Sequence, residues 1–336
     1  MIPSDQMKAS LFNLIIYTHE QQRTDYFMEI VHSIIEKFPC RVIFIQTDHD
    51  SEISITKETI GQEQSYVSCD LITISSSTED LNYIPFVVLE HLVPDLPVYL
   101  IWGQNPTKEN PLLPHLLKFA NRIVFDSECT PNLRQFSELM LSQIQSSQID
   151  ILDVDWALIS RWRHVLAQIF DTSEKIDLLN SSSNLTITYN DRLNPYNRHN
   201  DTRAIYLQGW LAAQLEWKFE SIKNQDGDLH LTYVTSKGKT NVILHPANCE
   251  KLRPGSILEV KAEGSKCGTI DITRYEDQPK VTIHISNHDT CDLPYNLPLF
   301  DPQRGLTFVK EMFFYRPSDH YHRMLKSISE VNWESA

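Results

Sequence analysis

Residues 96–127 read LPVYLIWGQNPTKENPLLPHLLKFANRIVFDS, and the fold turns on how that stretch is parsed. LPVYLIW is a continuous apolar run of strand length, PLLPHLLKFA a short helical pattern, and RIVFDS a second apolar run. Two buried strands joined by a helix make a parallel βαβ unit.

Working outward, the same alternation fills the first half. LFNLIIY (11–17), CRVIFI (40–45) and YVSCDLITIS (66–75) are strand-like. DYFMEIVHSIIEKF (25–38), LNYIPFVVLEHLV (81–93) and NLRQFSELMLSQI (132–144) are helical. The region 53–75 leaves room for an antiparallel excursion. DVDWALISRWRHVLAQIFD (153–171) carries one apolar stripe through Leu158, Trp162, Val165, Leu166 and Ile169, and reads as a single helix capped by Asp153 or Asp155. Trp162 is assigned to the core, with Arg161, Arg163 and His164 on the flanks. The expectation is a doubly wound, mainly parallel α/β domain over residues 1–171.

From 172 the pattern changes. A Ser/Asn/Asp-rich connection contains one strand (185–189), and AIYLQGWLAAQLEW (204–217) is an apolar helix bearing Trp210 and Trp217. LHLTYVT, TNVILH, SILEVKA, GTIDITRY and KVTIHIS then alternate with period two between turn signals. These segments predict an antiparallel meander, followed by a capped closing helix in RPSDHYHRMLKSISEV. An α+β domain over 172–336 is expected.

The composition narrows the function. A net charge of −14 disfavours nucleic acid and anionic membrane as partners, with NRHNDTR (197–203) the best local basic candidate. No apolar run is long enough to span a bilayer and no secretion signal is evident, so a cytoplasmic protein is expected. The six cysteines, Cys40, Cys69, Cys129, Cys249, Cys267 and Cys291, show no CxxC or zinc spacing and read as small buried residues. Glycine is scarce, at 9 residues, and no GxGxxG or GxxxxGK[ST] occurs, which argues against a phosphate-cradling loop.

Polar residues follow each strand at the edge where doubly wound folds bind ligands: Thr18, His19 and Glu20; Gln46, Thr47, Asp48, His49 and Asp50; Gln104 and Asn105; Asp126, Ser127 and Glu128. His19, Asp48, His49 and Asp126 are the set from which a metal or acid/base site would be assembled. His320 and His322 are two apart and diverge on a helix, and His284 lies on a strand face expected to be wet. The residues themselves assign no catalytic group, cofactor or metal.

Four segments in order resemble the OpcA family, the glucose-6-phosphate dehydrogenase assembly proteins. They are FPCRVIFI with Pro39 and Arg41; LVPDLPVYLIW with ANRIVFDS, carrying Trp102, Asp126 and Ser127; the 153–171 segment with Asp155, Trp156, Arg161 and Arg163; and AIYLQGWLAAQLEW with Trp210. The family tends to place paired tryptophans after the Leu-Pro strand, where Trp102 here precedes Gly103. Some relatives respond to redox state through second-domain cysteines, but Cys249, Cys267 and Cys291 show no close pair. The resemblance implies a non-catalytic protein that binds glucose-6-phosphate dehydrogenase, favours its assembled oligomer and raises its activity. Arg41, Trp102, Asp126, Ser127, Asp155, Trp156, Arg161, Arg163 and Trp210 are then candidates for partner contacts or for bracing between domains. The alternative is a sensor or enzyme for sugar phosphates, using the strand-end crevice of the first domain.

Overall fold

The computed structural model describes the chain except residues 1–9, 20, 49–51, 62–67, 194–198, 265–267, 287–292, 301–308, 311–312, 314–317 and 334–336. His49, Cys267, Cys291 and His288 therefore lie outside the described residues. Two compact units interleave along the chain. The first comprises Met1–Cys129, Ser146–Val154 and Gln303–Arg316; the second comprises Thr130–Gln145, Asp155–Pro302 and Pro317–Ala336.

In the first unit the apolar runs form β1 (Asn13–Thr18), β2 (Arg41–Asp48), β4 (Ser68–Ser77), β5 (Val98–Gly103), β6 (Arg122–Phe125) and β7 (Asp150–Asp153). All six are parallel, and β3 (Ser54–Gly61) pairs antiparallel with β4 at the edge. The sheet order is β3-β4-β2-β1-β5-β6-β7. Without the edge strand this is the 3-2-1-4-5-6 order of the Rossmann fold, whose direction reverses between β1 and β5. The expected doubly wound domain is present. Its helices are α1 (Gln21–Ile35), α2 (Ile84–His91) and α3 (Leu112–Leu117), while α4 (Leu133–Ser146), between β6 and β7 in sequence, belongs almost wholly to the second unit.

The strand starts are tied by side chains. Arg41 Nη2 donates to Asp70 at 2.9 Å and Arg122 Nη2 to Asp150 at 2.8 Å, each pair being register partners on neighbouring strands. Buried Asn13 exchanges hydrogen bonds with Val93, donating to its carbonyl at 3.0 Å and accepting from its N–H at 2.8 Å. Phe313, distant in sequence, stacks on Phe12 and Tyr99 with centroids 5.4 and 5.2 Å away.

The 153–171 segment departs from the single helix expected. Asp153 ends β7, α5 covers Val154–Leu158, and α6 covers Ser160–Ile169 after a break at Ile159. The aspartates are drawn into side-chain pairs described below. Trp162 is buried as expected.

The second unit holds α7 (Ser173–Asn180), α8 (Thr202–Gln214), α9 (Asp319–Ser329) and an eight-stranded sheet. Its strands are β8 (Asn184–Asn190), β9 (Lys218–Gln225), β10 (Asp228–Thr235), β11 (Gly238–Ala247), β12 (Ile257–Gly264), β13 (Gly268–Arg274), β14 (Lys280–Ser286) and β15 (Tyr295–Pro298). The expected antiparallel hairpins are there, but β8 is inserted between them, parallel to β11 and antiparallel to β12. Alternate residues such as Leu185, Ile187, Tyr233, Val242, Val260, Ile272 and Ile283 are buried. Helix α8 meets β8 and β11 and packs on α9. Trp217 lies beyond α8 rather than on it, and its indole N–H donates to Asn180 at 2.7 Å. α7 falls in the stretch read as a connection; its Thr172 cap accepts from the Lys175 N–H at 3.4 Å. The closing helix is capped as expected, by Ser318.

Gly103 has no room for a side chain. A Cβ there would overlap the Phe27 ring of α1 and lie 2.9 Å from the Tyr17 carbonyl oxygen. Gly103→Ala is expected to destabilise the protein by about 1–3 kcal/mol through overpacking. Equilibrium urea unfolding measures this, and an unchanged midpoint would contradict the packing described.

Candidate functional site

The strand order reverses between β1 and β5, with β6 next beyond β5, and the sequence places polar residues after all three. Tyr17 and Trp102 are register partners whose rings stack with centroids 4.3 Å apart, both buried. The Tyr17 hydroxyl pairs with Thr47 Oγ1 at 3.1 Å and accepts from Asn110 Nδ2 at 3.0 Å. Burial pushes its phenol pKa up, against the pull of those two hydrogen bonds. His19 Nδ1 lies 3.1 Å from the same Thr47 hydroxyl, and the Thr18 and Thr24 hydroxyls pair at 3.0 Å.

Beside them lies a charged cluster. Arg23, in the first turn of α1, forms ion pairs with Asp126 and Glu128, and its guanidinium lies 4.4 Å from the Tyr26 ring centroid. All three charged side chains are buried. Cys129 Sγ lies 3.2 Å from Asp126 Oδ2, and the Ser127 hydroxyl donates to Asp153 at 3.0 Å. Asp126 and Ser127 are thus brought into one neighbourhood with Trp102. Arg23 carries the cluster, and it was not singled out because the helical pattern starts at Asp25, which leaves Arg23 in the connection before it.

Of the metal set, His49 lies outside the described residues, and the other three are not gathered into one site. Asp126 faces Arg23, His19 faces Thr47, and Asp48 is exposed. Among the described residues no three His, Cys, Asp or Glu side chains are grouped to hold a metal ion.

Arg41 sits at the opposite end of the sheet, at the start of β2, held by Asp70 and by the His91 carbonyl at 3.0 Å. The remaining candidates belong to the second unit. Buried Asp155 accepts from Arg203 Nε at 2.9 Å, and Arg203 Nη1 donates to the Pro254 carbonyl at 3.4 Å. Arg203, from the segment read as the best basic candidate, is therefore buried in an ion pair. Arg163 lies over Trp156, with Cζ 3.4 Å from the ring centroid, and donates to its carbonyl at 3.1 Å. Tyr321 flanks the same indole at 5.4 Å. Trp210 is buried on α8, and Arg161 is half-buried on α6.

Sequence spacing also missed a thiol pair. Cys40 N–H donates to Cys69 Sγ at 3.3 Å across β2 and β4, and both thiols are free and buried. A hydrogen bond between the two side chains lowers the pKa of the Cys69 thiol, while the same side-chain bond, with burial, raises that of Cys40. Twenty-nine residues separate them in sequence, and only strand adjacency joins them.

Residues 31–141 match the family described as glucose-6-phosphate dehydrogenase subunit N-terminal domain, and residues 149–296 its C-terminal domain. A putative OxPP cycle protein OpcA of Nostoc punctiforme is 26% identical over 212 residues, covering 61% of this chain and 44% of that protein. Its counterpart in Synechocystis sp. is 25% identical over 205 residues, covering 59% and 42%. The match thus spans less than half the length of these relatives. Among solved structures, KijD10, a 3-ketoreductase from Actinomadura kijaniata solved with TDP-benzene and NADP, superposes with a TM-score of 0.55 at 9% identity over 95% of each chain. An oxidoreductase from Sinorhizobium meliloti superposes at 0.54 and 9% identity, over 97% and 98%. These likenesses establish the fold alone.

A dinucleotide, the usual ligand of this strand order, does not suit the residues present. The sequence from the last residue of β1 into the first turn of α1, Thr-His-Glu-Gln-Gln-Arg (18–23), has no glycine to let backbone N–H groups approach a pyrophosphate. Arg23, the cation nearest that helix start, is already committed to Asp126 and Glu128.

Asp155→Ala is expected to cost about 3–5 kcal/mol, because it leaves the Arg203 charge buried without its partner. Replacing both, as Asp155→Leu with Arg203→Met, recovers most of the loss. Chemical denaturation of the two variants checks this, and equal losses in both would remove the pair from its assigned role.

Proposed function

Because the chain belongs to the OpcA family, we propose that it is a non-catalytic cytoplasmic partner of glucose-6-phosphate dehydrogenase in the oxidative pentose phosphate cycle. It binds the enzyme and favours its assembled, active form. The observation that carries this reading is the presence of both family domains, in order, over residues 31–296. The state of the strand-end crevice supports it. Where related folds receive a ligand, this chain places its own Arg23 against Asp126 and Glu128.

Such a partner needs no reacting group. It shifts an equilibrium only by binding the active arrangement of the enzyme better than the inactive one. A preference of about 2 kcal/mol changes that ratio roughly thirtyfold. Buried Trp102, Trp156 and Trp210 serve this role by fixing the shape of each unit rather than by touching the enzyme.

Titrating the purified chain into the dehydrogenase of its own organism tests the reading. The dehydrogenase rate is expected to rise and saturate, with the two proteins co-eluting on gel filtration. An unchanged rate with separate elution would overturn it. Saturable binding of a sugar phosphate by the chain alone would favour a sensor instead.

A further inference from the structure

Helix α2 has the sequence IPFVVLEH, apolar around most of its circumference. A helix of that kind is ordinarily covered on every side. Here Ile84, Pro85 and Val88 are buried. The outward face carries Phe86 and Leu89, 69% and 50% exposed, with Tyr83 in the preceding turn 63% exposed. The three are spaced by three residues, so they share one side of the helix. Single exposed apolar residues are common on protein surfaces, whereas a contiguous set marks a contact surface.

The exposed charged residues that flank this ridge in sequence are acidic. Glu90 follows Leu89 and lies one turn beyond Phe86; Glu79 precedes the helix and Asp95 follows it, all three exposed. The cation at the end of the helix, Arg41, is bonded to the His91 carbonyl and neutralised by Asp70. A second copy of the chain is a poor occupant. A two-fold contact would bring the Glu79, Glu90 and Asp95 carboxylates near their own copies, on a protein of net charge −14.

We propose that the Tyr83–Phe86–Leu89 face of α2 is the docking surface for glucose-6-phosphate dehydrogenase, seated in an apolar groove rimmed by lysine or arginine. This rests on the function proposed above. The ridge supplies the buried contact, and the acidic rim supplies register and salt-sensitive attraction.

The test compares wild type with Phe86→Glu/Leu89→Glu, and separately with Glu90→Lys, by titration against the cognate dehydrogenase at low and high salt. All three substituted residues are exposed, so thermal unfolding midpoints should match wild type. The double variant is expected to bind at least about thirtyfold more weakly and to lose activation. Glu90→Lys is expected to weaken binding and flatten its salt dependence. Undiminished binding by the double variant, with wild type binding normally, would overturn the docking surface and leave the proposed function standing. No binding by wild type would overturn both. A wild-type homodimer that the double variant dissolves would assign the face to a second copy instead.

Discussion

The ion pairs of Arg23 with Asp126 and Glu128 set the character of the first unit. An arginine and two carboxyl groups removed from water are tolerated only when they face one another, because an unpaired buried charge costs several kcal/mol or more. The pairing joins the first turn of α1 to the segment after β6, past the end of β5. It therefore spans the point where the strand order reverses. A fold that elsewhere leaves this point open for a ligand here uses it to hold itself together.

Charge is distributed unequally along the strands. Arg41 with Asp70 and Arg122 with Asp150 stand at strand starts, where one partner of each pair retains contact with water. Such pairs contribute modestly and chiefly fix register. Arg23 with Asp126, and Arg203 with Asp155, are dry on both sides. The apolar layers around them do most of the stabilising, and the dry pairs specify which arrangement those layers adopt.

The core strands were legible because burial on both faces leaves a continuous apolar run, as in LFNLIIY and RIVFDS. β3 was harder: SITKETIG lies at an edge, is largely exposed and needs few apolar residues. β7 was hidden because DILD spans four residues and runs directly into a helix. The place of β8 could not be read at all, since alternation gives the face of each residue and not the neighbour of each strand. The same limit applies to the site. Trp102, Asp126 and Ser127 were visible as strand-end residues. Arg23 and the Cys40–Cys69 pair depend on contacts between elements that no local spacing encodes. Asp155 was marked as a helix cap, while its buried partner Arg203 stood in a stretch taken for surface.

One late stretch of the sequence supplies both units. Phe313 completes the stack with Phe12 and Tyr99, and α9 packs on α8 where Gly209 leaves Ile328 room to approach. Both cores therefore draw on one late stretch of sequence, Phe313 for the first unit and residues 319–329 for the second. A chain cut ahead of Phe313 would leave two unfinished cores at once, rather than one sound unit trailing a damaged one.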